Sequence, residues 1–257
     1  MNILITNDDG IAREGIHALA HALKLIQDVK LYVFAPDSER TAASMALTVR
    51  EPLRLTPWDA SEFGAELAFG VSGTPVDCVR LGSHYLEDRG IHVDLLCSGV
   101  NHGTNIGGDI YFSGTVGAAR QGVFRGIPSI AFSLEHHQPT HLELFDRIAP
   151  EVVTKTLGKI PPRTLVNVNV PDRPAEEIRG VRIAKLGRYR LVERYVPRED
   201  DPNTYDLVAD YDSCKNLAGP ESDTSLIEDG YIAVTPLVVN FIPEEAMKTA
   251  ESWDIRF

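Results

Sequence analysis

Apolar residues along this chain bunch into short runs separated by polar, glycine-containing connections. Ile3-Leu4-Ile5 is continuous rather than alternating, the pattern of a strand covered on both faces of a parallel sheet. Beyond Asn7-Asp8-Asp9-Gly10, apolar positions at Ile16, Leu19, Leu23 and Ile26 recur at helical spacing, and Leu31-Tyr32-Val33-Phe34 predicts a second buried strand. The rhythm returns with a strand at 93–97, a glycine-rich loop, a helix at 115–125 and the strand Ile130-Ala131-Phe132. Repeated strand–helix–strand units predict an α/β fold, doubly wound around a mostly parallel sheet of Rossmann-like type. A helix at 142–157 and a strand at 165–170 continue this core, with Pro161-Pro162 between them.

The texture changes near Val181. Arg182, Lys185, Arg188, Arg190, Arg194 and Arg198 precede Glu199-Asp200-Asp201, with Tyr189, Tyr195, Tyr205 and Tyr211 interspersed. This stretch reads as extended hairpins projecting from the core. The expected organisation is a single domain over 1–257: an α/β core at 1–180, an extended arm at 181–229, and a strand and C-terminal helix (244–253) within 230–257. There is no internal repeat and no flexible linker.

Composition narrows the function. The 257 residues carry 37 Asp and Glu against 25 Lys and Arg, a net charge of -12 that repels duplex nucleic acid and anionic membranes at long range. Cys78, Cys97 and Cys214 stand far apart with no CxxC pair, so neither a disulfide framework nor a thiolate zinc site is suggested. With no signal-type or membrane-length apolar run, the expected location is cytoplasmic. No Walker pattern, GxGxxG after a strand, or GxSxG elbow is present, which removes the usual support for triphosphate hydrolysis, dinucleotide redox chemistry and serine hydrolysis. His136, His137 and His141 lie in a polar connection and read as loop histidines rather than metal ligands.

In an open α/β sheet, ligands bind beyond the carboxyl ends of the strands. Three polar loops follow predicted strands: Asn7-Asp8-Asp9-Gly10; Asp37, Ser38, Arg40, Thr41 and Ser44; and Ser98, Asn101, Asn105 and Asp109 leading into Ser113-Gly114-Thr115. Two adjacent carboxylates brought together by a turn repel unless a cation neutralises them, and Mg²⁺ or Mn²⁺ prefers oxygen donors such as Asp8, Asp9, a hydroxyl and the amide of Asn101. Taken alone, Asp8-Asp9-Gly10 equally reads as a polar turn that caps the next helix. Ser113-Gly114-Thr115 at a helix start suits a phosphate. Gly73-Thr74-Pro75-Val76-Asp77-Cys78 reads as a structural helix start, with Asp77 near the positive helix end.

Asn7-Asp8-Asp9-Gly10, Ala35-Pro36-Asp37, Gly73-Thr74-Pro75-Val76-Asp77-Cys78-Val79, Ser98-Gly99-Val100-Asn101 with Gly103 and Asn105, Tyr111-Phe112-Ser113-Gly114-Thr115-Val116 and Val168-Asn169-Val170-Pro171 together resemble the SurE family of stationary-phase survival proteins. The resemblance implies a metal-dependent phosphomonoesterase, a nucleotidase acting on nucleoside 5′- and 3′-monophosphates. It assigns one divalent metal ion per subunit to Asp8, Asp9, Thr41 and Asn101, with Asp8 and Asp9 catalytic. Asn7, Ser44, Asn105, Ser113, Gly114 and Thr115 would bind substrate. The family usually has Ser-Gly where this chain has Thr41-Ala42. A homodimer or homotetramer built through the C-terminal part is also implied. The alternatives are a non-catalytic ligand-binding α/β regulatory protein and a broad-specificity acid phosphatase or exopolyphosphatase.

Overall fold

A computed structural model of the chain describes residues 1–216, 219–239 and 248–253. Its centre is a nine-stranded sheet. The strands are β1 (Asn2–Thr6), β2 (Lys30–Pro36), β3 (Leu55–Pro57), β4 (Leu67–Val71), β5 (Leu95–His102), β6 (Ser129–Leu134), β7 (Thr164–Val170), β8 (Val181–Ile183) and β11 (Ile232–Val238). Their order is β3-β4-β2-β1-β5-β6-β7-β11-β8. The run from β4 to β7 is parallel, and antiparallel pairing occurs only where β3 meets β4 and β11 meets β7.

The continuous apolar runs are explained by cover on both faces. Ile3 and Ile5 of β1 pack with helices α1 (Glu14–Lys24) and α4 (Phe145–Thr156), whereas Leu4 joins Tyr32, Phe34, Val79 and Ala118 under α2 (Pro75–Glu87) and α3 (Gly114–Phe124). Neighbouring residues of one strand thus enter different cores, which demands apolar side chains at every position. The start of α2 is the structural device expected there: Thr74 and Asp77 form a capping box ahead of Pro75.

Several boundaries differ from the sequence reading. The strand expected at 93–97 begins at Leu95 and runs on to His102, because Ser98 pairs with Thr6 on one side and Asn101 with Ser133 on the other, across a register shift. The first residues of the expected glycine-rich loop are therefore strand. The arm is also shorter than 181–229. Residues Val181–Ile183 join the main sheet beside β11, and residues Asp223–Glu228 form the short helix α5, packed on β11. What remains of the arm is the antiparallel pair β9 (Tyr189–Pro197) and β10 (Tyr205–Asn216), which among the described residues form a separate two-stranded sheet. Of the helix expected at 244–253, the first four residues lie outside the described residues; 248–250 are helical and Glu251–Trp253 form a 3₁₀ turn.

Candidate active site

The chain leaves β1 toward β2 on one side, while β5, the other neighbour of β1, leads to β6 and β7. A crevice opens beyond the carboxyl ends of strands at such a reversal. Asp8 and Asp9 follow the end of β1, Asn101 lies at the end of β5, and α3 points its N-terminus at the same place.

Asp8 is 4% exposed. Its carboxylate accepts the hydroxyl proton of Thr115, and its backbone carbonyl accepts the N–H of Arg40 at 2.7 Å. Gly114 is required by this approach, since a Cβ there would lie 2.8 Å from both Cβ and Oδ2 of Asp8. Asn7 closes the turn by donating from Nδ2 to the Gly10 carbonyl at 2.8 Å, and its Oδ1 is buried without a partner. Asp9 Oδ2 accepts the His102 N–H at 3.3 Å. Asn101 donates from Nδ2 to the Gly103 carbonyl at 2.6 Å, a bond that leaves Oδ1 uncommitted.

Burial pushes the Asp8 carboxyl up to about 6, with the Asp9 charge adding to it and the Thr115 hydroxyl opposing it. Burial likewise raises Asp9 to about 6, aided by Glu39 and opposed by the His102 N–H. The nearby arginines are occupied elsewhere: Arg13 pairs with Glu39 and Arg40 with Asp37. Among the described residues no three His, Cys, Asp or Glu side chains converge as a metal site. A carboxylate pair, one member buried and the other half-buried, beside the unpartnered buried amide oxygen of Asn7 is nonetheless short of positive charge. The oxygen-only donor set fits a hard divalent cation.

The remaining predicted residues are arranged unequally. Ser113 caps α3 by accepting the Val116 N–H at 3.1 Å, and the Thr115 N–H behind it faces the Asp8 carboxylate. Ser44 spends its hydroxyl on the Tyr111 carbonyl at 2.6 Å and its N–H on the Phe112 carbonyl at 2.9 Å. It thereby ties its loop to the residues before Ser113. Thr41 donates its hydroxyl to Glu39 at 2.6 Å and is not hydrogen-bonded to the aspartates. Asn105 is buried and donates from Nδ2 to Ser133 Oγ at 2.9 Å. Its backbone carbonyl takes bonds from Asn167 Nδ2 at 2.8 Å and Asn169 Nδ2 at 3.1 Å. The sequence places both asparagines in a strand, and Asn169 in a family motif, without giving either a role at the site. Their signal was present in β7, where amides alternate with valines on a strand buried throughout.

The family model described as survival protein SurE matches residues 3–193. The chain belongs to the SurE family. The 5′-nucleotidase SurE of Vibrio cholerae is 38% identical over 255 residues, 98% of this chain and 97% of that protein. The 5′/3′-nucleotidase SurE of Proteus mirabilis is 38% identical over 258 residues, covering 98% and 96%. The crystal structure of the SurE protein from Aquifex aeolicus superposes with a TM-score of 0.82 at 32% identity, covering 98% of each chain.

Proposed function

We propose that this SurE-family protein is a nucleotidase that hydrolyses nucleoside 5′- and 3′-monophosphates to nucleoside and phosphate. The observation that carries the reading is the buried Asp8 carboxylate, with half-buried Asp9 beside it, set against the N-terminus of α3, in a chain whose full-length relatives are named as nucleotidases. Asp8, Asp9, Asn101 and Thr41 would hold one divalent ion, Mg²⁺ or Mn²⁺. The Thr41 oxygen keeps lone pairs while its proton goes to Glu39. When bound, such an ion supplies Lewis-acid stabilisation of charge on phosphoryl oxygens.

The chain's own groups account for the rest. The N-terminus of α3, at Gly114 and Thr115, receives the phosphate with the helix dipole behind it. Ser44 and Asn105 hold the loops that present Ser113, and Asn7 shapes the turn that brings the carboxylates together. Asp8 and Asp9 each have one oxygen bound by a protein donor, an arrangement that suits orienting groups and favours water over a carboxylate as the nucleophile.

The deciding experiment is turnover of 5′- and 3′-nucleotides and p-nitrophenyl phosphate with Mn²⁺, with Mg²⁺ and in excess EDTA. Nucleotide hydrolysis that disappears on chelation and returns with metal is expected. Unchanged turnover in EDTA would overturn the metal assignment, and equal rates on all phosphomonoesters would replace the nucleotidase with a broad-specificity phosphatase.

A further inference from the structure

One buried carboxylate lies outside the site described above and has no part in its chemistry. Asp223, at the start of α5, is fully buried and accepts three backbone N–H groups. Oδ1 takes Gly187 at 2.7 Å and Thr224 at 2.9 Å, and Oδ2 takes Gly107 at 3.1 Å. Capping of α5 does not account for this, because Ser222 is the cap residue and accepts the Ser225 N–H. Only the Thr224 bond is local. The other two reach 36 and 116 residues along the chain.

Those two distant partners are the root of the arm and the root of the site loop. Gly187 lies two residues before β9, and a Cβ there would fall 2.6 Å from Asp223 Oδ1, so the chain is pressed against the carboxylate. Gly107 opens the 3₁₀ turn Gly107–Tyr111, which leads through Phe112 to Ser113, Gly114 and Thr115 against Asp8. The same turn carries Asp109, whose carboxyl is raised to about 6 by burial and by the Asp223 charge. Two acidic groups so close repel, and the Gly107 hydrogen bond holds the turn in place against that repulsion.

We infer that Asp223 is a positioning residue that ties the β9–β10 arm to the phosphate-side loop of the active site, so that the seating of the arm sets how well that loop receives substrate. The inference rests on the proposed nucleotidase reading for its kinetic consequence. Its structural content, that residues 107–113 and the arm are held by one carboxylate, does not depend on that reading.

Two variants test it. Asp223→Asn keeps one acceptor oxygen but turns an NH₂ group toward either Gly107 or Gly187. Gly187→Ala leaves the carboxylate intact and displaces the arm root from it. Both are expected to raise KM for a nucleoside monophosphate about tenfold while Mn²⁺ affinity stays within about twofold, because the loop that receives phosphate is loosened and the carboxylate pair is not. Amide exchange, read without substrate, should show faster exchange at 107–113 and 187–197 together in both variants. Wild-type KM in Asp223→Asn with unchanged exchange at 107–113 would overturn the proposal. So would Gly187→Ala that loosens the arm without altering the loop or KM, or a loss of Mn²⁺ affinity parallel to the rise in KM. If Asp223→Asn does not fold, Gly187→Ala decides alone. A wild-type protein that turns over no nucleotide would refute the functional reading, and the exchange comparison would still decide the tether.

Discussion

Asp8 and Asp9 illustrate a group kept in an unfavourable state for a purpose. Each has a folded-state pKa near 6 against an ordinary 3.8, because burial disfavours the charged form. The stabilising contribution of the protonated form is fully present below about pH 4 and is lost as pH rises through about 6, up to about 3 kcal/mol for Asp8 if burial is complete. The metal-free protein should therefore lose stability between pH 4 and pH 7 relative to an Asp8→Asn variant, which has no charge to bury. Thermal melts in EDTA across that range check this, and saturating Mn²⁺ should remove the difference for the parent. The same Asp8→Asn change, and Asp9→Asn with it, should lower turnover by about a hundredfold or more through loss of an anionic oxygen donor. Thr41→Ser should be close to neutral because the hydroxyl remains. Thr41→Val as active as the parent would exclude Thr41 from the metal site.

At the scale of elements, α2 and α3 show two kinds of helix start. The start of α2 is closed on itself, with Thr74 and Asp77 satisfying each other's backbone and Asp77 also accepting the Thr48 hydroxyl at 2.6 Å. Thr74→Val should cost about 1 kcal/mol of stability and leave kcat unchanged, measured by denaturant melts alongside activity. The start of α3 is closed only by Ser113 and rests on Asp8. There Gly114→Ala should affect both. Its Cβ would lie 2.8 Å from Asp8 Cβ and Oδ2, so stability should fall by about 1–3 kcal/mol and activity at least about tenfold, because a small displacement of a positioned group is costly to rate.

At the scale of the whole molecule, the β9–β10 arm forms a sheet separate from the main one among the described residues and exposes Tyr195, Tyr205 and Leu207. Exposed aromatic and aliphatic side chains on a projecting ribbon suit a subunit interface. Replacing residues 189–216 by a short Gly-Ser turn should lower the oligomeric mass by light scattering while Mn²⁺ binding at Asp8 and Asp9 survives. An unchanged mass would show that association, if any, occurs elsewhere. No helix among the described residues is long and apolar enough to cross a membrane.

Much of this protein was legible in its order of residues. The unbroken apolar runs at Ile3-Leu4-Ile5 and Leu31-Tyr32-Val33-Phe34 require cover on both faces and so imply a parallel sheet between two helix layers. The adjacent carboxylates were visible because a charge pair demands particular residue types, whereas the close approach of Gly114 to Asp8 appears only in the structure. Other features depended on tertiary structure because they are made by residues far apart in the chain. β8 has only three residues and exists as a strand because β11 lies beside it. Asn105 bonds Ser133 of β6 through its side chain and Asn167 and Asn169 of β7 through its backbone, because β6 and β7 run parallel beside its loop. The depth at which Asp8 is buried, and hence its raised pKa, comes from α3 closing over the end of β1. Local sequence specifies which groups can do chemistry; the distance between them and the water left around them are set only when distant segments pack.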